Sequence, residues 1–233
     1  MRIKGTIAIA ALCSSVITAL LCPREASAAD PIPVGANRDK TWGTISHITL
    51  ALGTATPFLM PRIYYNDPES TVGWKGRWHV SILAPAMTLT AITVFIDQPI
   101  KDAIESTRPG CTIEETGVPY LNCETFGGPS AHAFASWSAT GAGTGIFLID
   151  TFKYSDGRFS APAFIGNVIV PLTASIFTSV ARGVAPGDSE GYESGGQIVA
   201  GALPGFFSGL IIGGAYALLQ RPSCGYGNNI FCW

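Results

Sequence analysis

An all-α bundle with five or six membrane-spanning helices is the fold class this sequence predicts, on three observations. Charged residues make up only 13% of the 233 residues, against about 25% in ordinary soluble domains, and mean hydropathy is +0.33. Apolar residues gather into long runs near 43–60, 80–98, 131–150, 161–181 and 197–219, each close to the ~20 residues a helix needs to cross a bilayer. None of these runs alternates apolar with polar residues, so helices fit them and half-buried strands do not. A soluble helical bundle is the alternative, because the runs are rich in Gly, Ser and Thr.

Taken in order, residues 1–28 read as a signal peptide. "MRIK" is basic, "GTIAIAALCSSVITALLC" is apolar, and Ala26-Ser27-Ala28 offers the small residues of a cleavage site. Left uncleaved, the same segment is a first transmembrane helix, the sixth span. Residues 29–42 are polar and carry Pro and Gly, as a linker does. Residues 43–220 form the helical domain, in which Pro85, Pro171 and Pro204 are expected to kink three helices. Small residues dominate "SWSATGAGTG" and "GLIIGGAYAL", which suits close helix packing in lipid. Residues 221–233 are a short tail.

Charge supports spanning and sets an orientation. If the chain emerges outside after the signal, loops 61–79 and 151–160 lie inside, with Arg62, Lys75, Arg77, Lys153 and Arg158. The outer loops 99–130 and 182–196 hold eight acids, against three in the inner loops, and only Lys101, Arg108 and Arg182 as cations. That is the positive-inside bias. The expected location is a bacterial-type inner membrane with the outer loops in the periplasm, or the periplasm itself for a soluble bundle. A net charge of -2 with no basic run excludes a nucleic-acid footprint. Past the signal the cysteines are Cys111, Cys123, Cys224 and Cys232, an even set in an exported chain. The expected disulfides join nearest neighbours, Cys111 to Cys123 and Cys224 to Cys232; reduced thiols are the alternative.

Three outer segments carry chemistry. In "PIKDAIESTRPG", Pro99 can open a helix. Lys101 and Arg108 stand seven apart, on one helical face, where two long cations can share one anion or lie solvated at the interface. In "FGGPSAHAF", Gly127 and Gly128 allow close backbone approach. Ser130 is a candidate N-cap for a helix whose free N–H groups and dipole stabilise a phosphate. His132, in the first turn, can donate a proton to a leaving oxygen. Arg182 ends an apolar helix and needs an anionic partner: Asp188, Glu190, Glu193 or a bound phosphate. The stretch "RGVAPGDSEGYESGGQ" around it reads in isolation as a metal loop, a phosphate cradle or a solvated turn.

Lys101-x6-Arg108-Pro109, then Pro129-Ser130-Ala131-His132, then an Arg before a last apolar helix that begins "QIVAG", resembles the type 2 phosphatidic acid phosphatase (PAP2) superfamily. That superfamily includes bacterial acid phosphatases and vanadium haloperoxidases. The resemblance spans nearly all of the chain past the signal and implies a PAP2-type helical bundle. It also implies a phosphatase acting on a lipid phosphate, a pyrophosphate or another phosphomonoester at the outer face. Lys101, Arg108 and Arg182 would bind the phosphate oxygens, Ser130 and the backbone at Gly128 would complete the cradle, and His132 would protonate the leaving group. No metal or other cofactor is implied. The expected partners are a phosphorylated lipid or small phosphoester and the membrane.

The third motif departs from the family pattern, Ser-Arg-x5-His-x3-Asp, whose histidine is the nucleophile. Ala181 precedes Arg182. Counted from Arg182, the histidine position holds Asp188 and the aspartate position Tyr192; anchored on "QIVAG", they hold Glu193 and Gln197. His47 and His79 read as structural. Two functions follow as expectations. Either the chain is a phosphatase in which Asp188 or Glu193 replaces the histidine, or it is a relative that binds phosphate or lipid headgroups without turnover.

Overall fold

A computed structural model describes residues 40–59, 99–106, 126–184 and 193–219. The predicted run at 80–98, together with Arg108, Asp188, Cys111 and Cys123, lies outside them, as do the signal and the tail. Helix α1 is Lys40–Leu59, α2 is Ala131–Phe152, and α3 is Ala161–Phe164. A π-helical turn, Ile165–Ile169, joins α3 to α4, Val170–Val184, and α5 is Gly195–Leu219. The described residues hold helices and one isolated bridge, between Ser106 and Gly128, so the all-α prediction holds over them. The π turn ends two residues before Pro171. Proline has no N–H to give the carbonyl of Asn167, which loosens the turn before it.

Helix α2 packs most extensively against α5, and α1 against α4. The α2–α5 seam is a stripe of Gly201, Gly205, Gly209 and Gly213, four residues apart and therefore on one face. A Cβ at each would land on the backbone carbonyl of Ser130, Phe134, Ser138 and Ala142 respectively. The seam is thus backbone against backbone, the close approach that small residues allow.

Among the described residues, hydroxyls are buried while several large apolar side chains are exposed. Ser136, Ser138, Thr140, Ser175, Thr178 and Ser179 are buried, whereas Phe152, Phe177, Phe207, Ile211 and Leu219 are exposed. The buried hydroxyls bond across helices: Thr140 Oγ1 to Ser175 Oγ at 2.8 Å, Thr49 Oγ1 to Thr178 Oγ1 at 2.8 Å, and Trp137 Nε1 donating to Ser179 Oγ at 3.0 Å. Among the described residues, two helical stretches, Ala161–Gly183 and Gly195–Leu219, are long and apolar enough to cross a membrane.

Candidate functional site

The site lies where the starts of α2 and α5 meet the end of α4. Ser130 caps α2 as predicted, its Oγ accepting from the Ala133 N–H at 3.1 Å. It is fully buried, because Gly201 of α5 lies against its backbone and its N–H donates to the Gln197 carbonyl at 2.9 Å. The helix start is therefore clamped by α5, with His132 two residues into its first turn. Gly128 leaves no room for a side chain: a Cβ there would stand 2.8 Å from Gln197 Cγ and 3.2 Å from Ser106 Oγ.

Helix α5 begins with a capping box absent from the sequence reading. Ser194 Oγ accepts from the Gln197 N–H at 3.3 Å, and Gln197 Oε1 accepts from the Ser194 N–H at 3.0 Å. Its signal, Ser-x-x-Gln, lies in "SGGQ" and puts the helix start two residues before the predicted 197. Gln197 also donates from Nε2 to Ser106 Oγ at 2.9 Å. This one residue thereby touches its own cap, the α2 cap and the 99–106 segment.

Lys101 is half-buried on that segment, in a short helix over 99–104 that opens at Pro99. The expected helical face shared by Lys101 and Arg108 is corrected here. Glu105 turns to φ 50°, in the left-handed region, and Ser106 pairs with Gly128. The helix therefore ends before it can carry its register on to position 108. Gly127 donates to the Ser106 carbonyl at 2.8 Å, so Lys101 joins the α2 start through the loop backbone and not through helical spacing.

Of the acids offered for Arg182, Glu193 is a partner. Arg182 Nη2 donates to Glu193 Oε1 at 3.0 Å, and the two side chains are only 4% and 1% exposed. The Glu193 N–H also donates to the Arg182 carbonyl at 3.3 Å. A buried pair of this kind is sensitive to loss of either member, because the other is left as an uncompensated charge. The sequence reading also missed a neighbour of His132. His47 of α1 is exposed, and its ring centroid lies 5.3 Å from that of His132 with the planes tilted by 59°. Its only signal was a lone histidine in an apolar run, and the proximity comes from the packing of α1 on α2.

Ser130, His132, Gly128, Arg182 and Glu193 thus gather at one end of the bundle, with Lys101 tied to them through Ser106. Among the described residues, no cluster of three or more metal-ligating side chains occurs. No protein-family model matches the chain, and no curated protein or solved structure is similar enough to carry an inference.

Proposed function

We propose that this chain is a membrane-embedded phosphatase of the type 2 phosphatidic acid phosphatase kind, acting on a lipid phosphate, pyrophosphate or other phosphomonoester. The observation that carries the reading is the clamped, Ser130-capped start of α2 with His132 in its first turn, tied to the Lys101 segment through Ser106 and Gln197. Free N–H groups and the positive end of a helix favour a phosphate. A histidine beside it supplies the proton that an alkoxide leaving group needs. Lys101 and Arg182 add positive charge, and Arg108 comes two residues after Ser106 in the sequence. Exposed apolar faces and, among the described residues, two helices of spanning length support residence in a membrane, and the distribution of Lys and Arg along the sequence favours the outer, periplasmic side for the site.

The buried Arg182–Glu193 pair favours a second reading, in which a carboxylate holds the guanidinium that would otherwise take phosphate. On that reading the chain binds phosphate or a lipid headgroup without turning it over. One assay separates the two. Purified chain in detergent is expected to release orthophosphate from a lipid phosphate or an aryl phosphate. His132→Ala is expected to slow release from the lipid phosphate by ~100-fold or more. Orthophosphate binding that depends on Lys101, with no release from either ester, moves the conclusion to the second reading.

A further inference from the structure

Resting on the phosphatase reading, we infer that His47 is the residue that accepts the phosphoryl group. A nucleophile must come within about 3–3.5 Å of phosphorus in line with the leaving oxygen, so it must be reachable. Glu193 is 1% exposed and its Oε1 is held by Arg182. As a carboxylate it would also repel a phosphate dianion. His47 is exposed and in ring contact with His132, and a neutral imidazole brings no repulsion. Helix α1 is held firmly against α4. Ser46 is buried, Thr49 bonds to Thr178 of α4 at 2.8 Å, and a Cβ at Gly53 would stand 2.9 Å from Ala174 Cβ. Two imidazoles from different helices can therefore serve one phosphoryl group, one at phosphorus and one at the leaving oxygen.

The chemistry balances without a co-reactant other than water. A ring nitrogen of neutral His47 gives its lone pair to phosphorus. As the P–N bond forms, the ester P–O bond breaks, and the leaving oxygen takes a proton from protonated His132. Water then attacks phosphorus and passes a proton to His132, now neutral. The P–N bond breaks with its electron pair returning to His47, and orthophosphate leaves with both histidines restored.

The test uses the full chain in detergent with a radiolabelled aryl phosphate, whose leaving group needs no proton from His132. Wild type is expected to carry a covalent label that survives alkali and is lost in acid, as phosphohistidine is. His47→Ala is expected to lose both label and turnover while keeping its thermal unfolding midpoint, and added imidazole is expected to restore turnover. A label that hydroxylamine removes, or one that persists in His47→Ala, overturns the assignment and leaves the phosphatase reading standing. Loss of turnover in His47→Ala with no wild-type label and no imidazole rescue also overturns it. Wild type that releases phosphate from no ester overturns the phosphatase reading, and the assignment with it.

Discussion

Helix α5 is fastened to the bundle in two opposite ways. Along Gly201, Gly205, Gly209 and Gly213 it lies on α2 with nothing between the two backbones. At its start, Glu193, Ser194 and Gln197 reach partners through directed polar bonds. The seam draws on many small dispersion contacts that exist only at close range. The polar end draws on a few strong contacts whose members are costly to orphan. Adding an atom therefore harms the first region, and deleting a group harms the second.

The sharpest way to break this contrast is at the ion pair. Glu193→Ala leaves the Arg182 guanidinium buried without its carboxylate and is expected to destabilise by about 3–5 kcal/mol. The double substitution Arg182→Leu with Glu193→Leu is expected to recover most of that loss. Thermal unfolding in detergent measures both, and a double variant no better than the single would mean that the polar end does not depend on charge pairing. In the seam, Gly209→Ala drives a methyl into the Ser138 backbone and is expected to cost about 3 kcal/mol, the upper end for overpacking. Gly214→Ala, where nothing stands within 4 Å of the new methyl, is expected to be neutral or to stabilise by up to ~1 kcal/mol through helix propensity. Equal effects at the two glycines would refute a seam defined by contact. Ser130→Ala is expected to lose about 1 kcal/mol with the N-cap, read by the same unfolding experiment.

The two regions also differ in how far they could be read in advance. Four helices and the Ser130 cap follow from local facts: the length of an apolar run, and a serine just before one. The small-residue stretches likewise announced close packing without naming a partner helix. Choosing Glu193 from three nearby acids required knowing where α4 ends relative to α5, which spacing along a loop does not encode. The adjacency of His47 and His132 is further from reach still, since it joins positions 85 residues apart (132 minus 47). The Lys101–Arg108 face failed for a local reason. A single left-handed residue, Glu105, ends a helix that sequence spacing assumed would continue.

The tie between Arg182 and Glu193 has one more consequence, for how this chain tolerates change. One backbone bond and one ion pair join Arg182 directly to Glu193, so the end of α4 and the start of α5 are held together at these two residues. Closing a somewhat longer loop costs little, about 0.6 kcal/mol for each doubling. Lengthening the chain between Arg182 and Glu193 is therefore expected to leave the two helices tied to each other and the unfolding midpoint nearly unchanged.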